Sequence, residues 1–267
     1  MSPSAPIGIF DSGVGGLTVA NAISHYLPNE RLIYFGDTAH LPYGDKAPAH
    51  IIEYSKAISR FLIEKGCKMV VIACNTASSV AYQNVKEMAG DIPVINVIDP
   101  VVEVVVNEKK AKKVGVIGTR KTINSGEYEN RLKILNPNIS VFSMATPLLV
   151  PLIEEHIMDD EIGKLVIAKY LSQPQLGDID SLILGCTHYP LVKESISHYY
   201  KGKVNVIDSA DIVGKYVSNY LTKHNLRSNK PLTSDHEFYV SDFTESFEKN
   251  TRSFFGHEIH LKQIDFW

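Results

Sequence analysis

Cysteine is scarce in this 267-residue chain: Cys67, Cys74 and Cys186 are all there is, and no Cys-x-x-Cys pair occurs. Three thiols cannot build a disulfide framework, and the simplest setting for them is the reducing cytoplasm, where they stay free. No apolar run approaches the roughly 18 residues of a membrane helix. The opening Met1-Ser2-Pro3-Ser4-Ala5-Pro6 lacks the basic, then apolar, profile of a secretion signal. Long basic runs are missing as well; 27 Lys and Arg stand against 30 Asp and Glu, a formal net charge of −3, so no nucleic-acid surface is expected. No linker rich in Gly, Pro or Ser and no low-complexity stretch divides the chain.

What is present is the composition of an ordinary globular protein, 44% hydrophobic and 21% charged, at a length that suits two compact α/β units. Short apolar runs alternate with helix-like stretches, the pattern of parallel β/α units. Strands are predicted at 6–10, 31–35, 68–73 and 93–98, then at 113–117, 139–142, 181–184 and 203–207. Helices are predicted at 15–26, 49–65, 76–88, 125–135 and 190–200.

A weak internal duplication organises these elements. Ile7-Gly8-Ile9-Phe10-Asp11-Ser12 has a counterpart in Val114-Gly115-Val116-Ile117-Gly118-Thr119. Val70-Val71-Ile72-Ala73-Cys74-Asn75-Thr76 matches Leu182-Ile183-Leu184-Gly185-Cys186-Thr187-His188, and Asn96-Val97-Ile98-Asp99 reappears as Asn205-Val206-Ile207-Asp208. The pairs keep their order and similar spacing. The expected architecture is therefore α/β, with two pseudo-symmetric parallel-sheet domains at 1–98 and 99–207 and the active site in the cleft between them. Residues 99–107 make the first crossing. The segment 208–267, with a helix-like 210–224 and a strand-like 237–241, is too short for a third domain and is expected to pack back on the first. Its aromatics, from Phe238 to Trp267, are expected to cover core surface.

In open parallel sheets, ligands bind beyond the carboxyl ends of the strands. Four polar clusters begin where apolar runs stop: Asp11-Ser12-Gly13, Gly36-Asp37-Thr38, Cys74-Asn75-Thr76 and Cys186-Thr187-His188. The turn from Asp11 to Gly16 offers backbone N–H groups to an anion such as a carboxylate. It lacks GxGxxG spacing, so a dinucleotide site has little support. None of the clusters contains a lysine, so a pyridoxal Schiff base is not indicated. No cofactor and no metal are expected.

Each of Cys74 and Cys186 ends a strand and immediately precedes a predicted helix, where free N–H groups favour a thiolate. A lone buried cysteine is ordinarily a small apolar filler, and Cys67 fits that reading. Equivalent placement in two duplicated halves argues otherwise for the other two. Closing the halves points both sulfurs into one cleft, the arrangement a racemase needs: one group takes the α-proton from one face while the other delivers a proton to the opposite face. Asn75, Thr76, Thr187 and Ser12 are candidate donors to the carbanion. Asp11 and Asp37 could equally be turn formers, and His188 a surface histidine. Three rivals remain at this point. A zinc site could use Cys74, Cys186 and His188, although the sulfurs lie in opposite halves of the chain. A Cys–His hydrolase gives the second thiol no role, and a binding protein would not depend on the thiols.

The same residues resemble a known family. Phe10-Asp11-Ser12-Gly13-Val14-Gly15-Gly16-Leu17-Thr18-Val19, Gly36-Asp37-Thr38-Ala39-His40-Leu41-Pro42-Tyr43-Gly44, Ala73-Cys74-Asn75-Thr76-Ala77-Ser78 and Gly185-Cys186-Thr187-His188-Tyr189-Pro190-Leu191 are similar to four signatures of the glutamate racemases. Pro147-Leu148-Leu149-Val150-Pro151-Leu152-Ile153-Glu154 is similar to a fifth. The resemblance spans residues 7 to about 210. It implies interconversion of L- and D-glutamate for peptidoglycan without metal or organic cofactor, in the cytoplasm. The partners expected are the small-molecule substrate and a second copy of the chain as a homodimer. It implies that Cys74 works on the α-proton of D-glutamate and Cys186 on that of L-glutamate. Asp11 and His188 would assist the thiols, with Asp37 and Glu154 as further carboxylates in or near the cleft. The substrate contacts it implies are Asp11, Ser12, Tyr43, Gly44, Asn75, Thr76, Thr187 and His188. One of Glu154 and Glu155 is expected to be a solvated charge. The chain departs from the family at His40, where many relatives have Arg, at Thr146, where they have Cys, and at His156, where Gly is common. Some relatives carry an N-terminal extension and respond to a cell-wall precursor; the short run before the first strand here argues against that regulation. Aspartate racemase is the near alternative, since one methylene separates the substrates by only about 1–3 kcal/mol.

Overall fold

A computed structural model describes residues 2–108, 111–158, 160–232 and 234–267. The first half runs β1 (Ile7–Asp11), α1 (Leu17–Tyr26), β2 (Leu32–Gly36), α2 (Pro48–Glu64), β3 (Met69–Ile72), α3 (Asn75–Ala89) and β4 (Val94–Asn96). The second runs α4 (Ile98–Asn107), β5 (Lys113–Gly118), α5 (Arg120–Asn124), α6 (Glu127–Leu135), β6 (Ser140–Ala145), α7 (Leu149–Glu154), α8 (Glu161–Leu171), β7 (Ser181–Gly185), α9 (Lys193–Tyr199) and β8 (Asn205–Asp208). The chain ends with α10 (Ser209–Lys223), β9 (Glu237–Val240), α11 (Glu245–Phe255) and β10 (Leu261–Gln263). All pairing is parallel in both sheets. β1, β2, β3 and β7 are buried along their whole length, which is why they read as continuous apolar runs rather than alternating ones.

One sheet has the order β10-β9-β2-β1-β3-β4 and the other β6-β5-β7-β8. Leaving aside the two terminal strands, the second order is the first with every strand advanced by four. The duplicated sequence pairs thus stand at equivalent places: Ser12 and Thr119 after β1 and β5, Cys74 and Cys186 after β3 and β7. β9 and β10 extend the first sheet beyond β2, pairing Phe238 with Tyr34 and Leu261 with Phe238.

Some elements differ from expectation for identifiable reasons. The predicted helix at 125–135 starts two residues later, as α6, because Gly126 adopts a left-handed φ of +68° and separates it from the short α5 before it. The predicted helix at 190–200 opens as a 3₁₀ turn, Tyr189–Val192, with Pro190 in its first turn, before α9 begins. The crossing segment is itself helical, as α4. α5, α7, α8, α11 and β10 lie outside the expected elements.

One apolar cluster spans both sheets, joining Ile7, Ile9 and Val71 to Leu182, Leu184, Val206 and Val213. At its centre α1 packs on α10, and the approach is close at Gly214: a Cβ there would lie 2.9 Å from the backbone of Ala22. No described helix is long and apolar enough to cross a membrane.

Candidate active site

The carboxyl ends of β1, β3, β5, β6 and β7 deliver Asp11 and Ser12, Cys74, Thr119, Thr146 and Cys186 to the wall of one cavity of about 330 Å³. That volume suits a small molecule. Every substrate contact implied by the resemblance lines it: Asp11, Ser12, Tyr43, Gly44, Asn75, Thr76, Thr187 and His188, as does Glu154. Asp37 does not. It stands behind the lining, fully buried, and accepts from the hydroxyl of Tyr43, which is part of the lining. The lining also contains Arg120, Thr146 and Tyr189 from the second half, none of which was expected as a site residue. Thr119 was within reach of the sequence, as the duplicate of Ser12.

The two thiols sit in different electrostatic surroundings. Cys74 caps α3, its Sγ accepting from the Ala77 N–H at 3.4 Å and lying 3.6 Å from Ser12 Oγ. Burial nevertheless raises the Cys74 thiol far above its ordinary range, and the neighbouring Asp11 carboxylate raises it further. The expectation that a helix N-terminus would favour the thiolate here is therefore corrected; desolvation outweighs the hydrogen bonds. Cys186 caps no α-helix, because two turn residues and the Tyr189–Val192 turn intervene. Its Sγ lies 3.8 Å from His188 Nδ1, and His188 Nε2 lies 2.9 Å from Glu154 Oε1. Burial by itself lowers the His188 pKa, but the hydrogen bonds and charges of Cys186 and Glu154 prevail and push it up to about 10. At neutral pH the ring is an imidazolium donating to both partners. Glu155 is exposed, so Glu154 is the site carboxylate of the pair. Cys67 is buried away from the cavity and pushed up to about 12 by burial, as befits a packing residue.

In the turn between β1 and α1 the Gly16 N–H is already taken by the chain itself. Asp11 Oδ2 accepts from the Gly16 N–H at 2.7 Å and from Thr187 Oγ1 at 3.5 Å. Thr18 Oγ1 reaches the Thr187 carbonyl at 3.0 Å, stitching the first half to the second. Thr76, Thr119 and Thr122 form a triangle of hydroxyls 3.0–3.2 Å apart across the same junction. At the cavity mouth Arg120 faces Asp45 at 3.6 Å.

Among the described residues, two that line the cavity each have a buried side-chain atom without a hydrogen-bond partner: the acceptor Asp11 Oδ1 and the donor Asn75 Nδ2. The Asn75 amide is held in one orientation, since its Oδ1 accepts from the Tyr128 hydroxyl at 2.7 Å. Burial raises the Tyr128 pKa, so that phenol stays a donor. Native proteins rarely leave such atoms unpaired unless something else satisfies them. A free acceptor and a free donor in one cavity complement an ammonium and a carboxylate. Among the described residues no group of three or more His, Cys, Asp and Glu is placed to hold a metal ion, so Cys74, Cys186 and His188 do not form the zinc set considered above.

The departures from the family have structural correlates. His156 adopts a left-handed φ of +56°, the conformation for which glycine is best suited. The Thr146 hydroxyl pairs with that of Tyr189 at 2.7 Å. His40 stacks on Tyr54 with ring centroids 3.8 Å apart.

Two α/β units of the same strand order that bring a pair of thiols to the wall of one small-molecule cavity have the form of an enzyme acting on a small substrate. The family model described as Asp/Glu/Hydantoin racemase matches residues 17–216. A glutamate racemase of Chlorobaculum parvum is 40% identical over 259 residues, covering 97% of this chain and 95% of that protein. One of Neisseria meningitidis serogroup A is 41% identical over 261 residues, covering 97% and 95%. The crystal structure of a glutamate racemase from Francisella tularensis in complex with D-glutamate superposes with a TM-score of 0.92, at 40% identity over 99% of this chain and 98% of that one. The chain belongs to the Asp/Glu/hydantoin racemase family, and it is an amino-acid racemase, an isomerase.

Proposed function

We propose that this chain is a glutamate racemase that moves one proton across the α-carbon with two thiols and no cofactor. The observation that carries the reading is the convergence of Cys74 and Cys186, from equivalent strands, on one cavity that also presents Asp11 Oδ1 and Asn75 Nδ2 unpaired. The relatives named above, at 40–41% identity, favour glutamate over aspartate.

With L-glutamate bound, its ammonium pairs with Asp11 and its α-carboxylate accepts from Asn75. The second carboxylate has the hydroxyls of Ser12, Thr76 and Thr119, the Tyr43–Gly44 wall and the Arg120 guanidinium around it. The sulfur of Cys186, beside the His188 imidazolium, takes the α-proton from one face. The Asn75 donor steadies the negative charge that spreads into the carboxylate. Cys74, kept as the neutral thiol by burial and Asp11, delivers its proton to the opposite face. The product is D-glutamate, with Cys186 protonated and Cys74 as thiolate; the reverse reaction exchanges the roles. Tyr189 and Thr146 close the cavity behind Cys186 and keep bulk water from the carbanion. The D-glutamate serves peptidoglycan synthesis in the cytoplasm, a compartment that suits three free buried thiols, and the working assembly is a homodimer.

Incubation with L-glutamate in deuterated water tests the reading. The wild type is expected to place deuterium at the α-carbon of D-glutamate, and Cys74→Ala and Cys186→Ala to lose nearly all turnover. Full racemase activity in Cys186→Ala would falsify the two-thiol assignment.

A further inference from the structure

Behind the cavity wall lies a polar network for which the reaction above has no use. Asp37 is fully buried, yet donors from three separate segments reach its carboxylate. Oδ1 accepts from the Trp267 indole N–H at 2.9 Å and the Ser241 hydroxyl at 2.8 Å. Oδ2 accepts from the Tyr43 hydroxyl at 2.7 Å, and His40 Nδ1 lies 3.1 and 3.0 Å from the two oxygens. Trp267 meets His40 and Tyr54 edge-on, with ring centroids 4.6 and 5.1 Å away.

Tyr43 also lines the cavity, together with Gly44. Both belong to a stretch whose regular structure is two 3₁₀ turns, Thr38–His40 and Tyr43–Asp45, which belong to neither sheet ladder. Side-chain anchors therefore set where this wall stands, and Asp37 is the hub of those anchors. Trp267 is 47% exposed, too open to be explained as core cover, which corrects the expectation for the end of the tail. Among the described residues, its side-chain hydrogen bond is the one into the hub. Withdrawing the indole N–H from a buried carboxylate forces the remaining donors to redistribute, and Tyr43 is the donor that carries part of the cavity wall.

We propose that Trp267 is a positioning residue for substrate: through Asp37, its indole N–H fixes Tyr43 and with it the Tyr43–Gly44 side of the cavity. This rests on the reading that the cavity takes glutamate. Positioning of a binding wall affects ground and transition states alike, so it changes KM more than kcat.

Trp267→Phe in the full-length chain keeps a ring against His40 and Tyr54 and removes the donor. Steady-state kinetics in both directions are expected to show KM raised about fivefold with kcat within about twofold of wild type. Asp37→Asn, which turns a donor towards at least one of the existing donors, is expected to raise KM similarly. In the double variant Trp267→Phe is expected to add nothing, the signature of two residues acting as one unit. Unchanged KM in Trp267→Phe overturns the proposal, as does a lowered kcat at constant KM or simple additivity in the double variant. Should Asp37→Asn fail to fold, the single Trp267→Phe variant still decides. A wild type that turns over no glutamate counts against the functional reading instead, so the two failures are distinguishable.

Discussion

Gly15 offers a severe test of the Cys186–His188–Glu154 arrangement, because it touches no substrate. It lies in the turn between β1 and α1, and a Cβ added there would sit 2.4 Å from both Cε1 and Nδ1 of His188 and 2.6 Å from Thr187 Oγ1. Ordinary carbon contacts need about 3.5–4.0 Å, so the imidazole must retreat by about 1 Å. It has little room to do so. Nε2 is tied to Glu154 at 2.9 Å, and the Phe254 ring stands edge-on with centroids 5.1 Å apart. The contact between Nδ1 and Cys186 Sγ is already 3.8 Å long and does not survive a further ångström. Misplacement of a catalytic group by about 1 Å costs about 10²-fold in rate, equivalent to about 2.7 kcal/mol of transition-state stabilisation. Gly15→Ala is therefore expected to lower kcat about 10²-fold, followed by circular dichroism of the interconverting enantiomers. Overpacking of this kind also costs about 1–3 kcal/mol of stability, which thermal unfolding will register. A folded Gly15→Ala protein with kcat within about twofold of wild type would refute the reasoning.

Two further outcomes follow from the same geometry. The His188 pKa is raised, so the ring keeps its second proton below the folded value and loses it as pH rises through about 10. The D-to-L rate, which draws on that proton, is expected to fall across this limb, and Glu154→Gln to move the limb to lower pH; a limb that does not move would show that Glu154 does not hold the ring. The stability due to this linkage has the same sign, complete below the ordinary histidine pKa of about 6.5 and lost towards the raised one. Tyr128→Phe frees the Asn75 amide to rotate, and the loss of about 1 kcal/mol typical of one hydrogen bond corresponds to a KM about fivefold higher; an unchanged KM would separate Asn75 from substrate binding.

The parts of the site legible in the sequence were those with a local signature written twice. Cys74 and Cys186 end apolar runs in equivalent positions, and equivalent strand order follows from the same repetition. Glu154 had no such signature and entered through the family motif alone. Thr146, Tyr189 and Arg120 stand beside or inside segments that the sequence marks, next to Pro147, three residues after Cys186 and next to Thr119, but their own residue types carry no signature of a cavity wall. Asp37 and Trp267 meet across 230 positions of sequence, a distance over which periodicity carries no information. α8 escaped notice because Ile162 and Leu165 are 58% and 69% exposed, so its apolar residues do not trace a single buried face. β10 has three residues, too few for a pattern. The helix N-terminus argument failed at Cys74 for a different reason. It weighed the dipole and the capping N–H but not the cost of burying the sulfur beside Asp11, and burial is the larger effect.

That failure exposes how the two halves differ. Strand order and thiol position repeat, whereas charge does not: Asp11 stands near one sulfur, and an imidazolium tied to Glu154 stands beside the other. In the mechanism proposed above, this asymmetry suits the step in which Cys186 takes the proton of L-glutamate and Cys74 gives one. D-glutamate needs the opposite arrangement, reached only after a proton has moved. Yet enantiomers have equal free energy in water, so the equilibrium constant is one and kcat/KM must be the same in both directions. The electrostatic asymmetry cannot make the enzyme favour a product. It can appear only as matched differences, the direction with the higher kcat having a proportionately higher KM. Neutralising Asp11 or Glu154 therefore shifts how each direction divides its barrier between binding and chemistry, and leaves the ratio of the two kcat/KM values at unity.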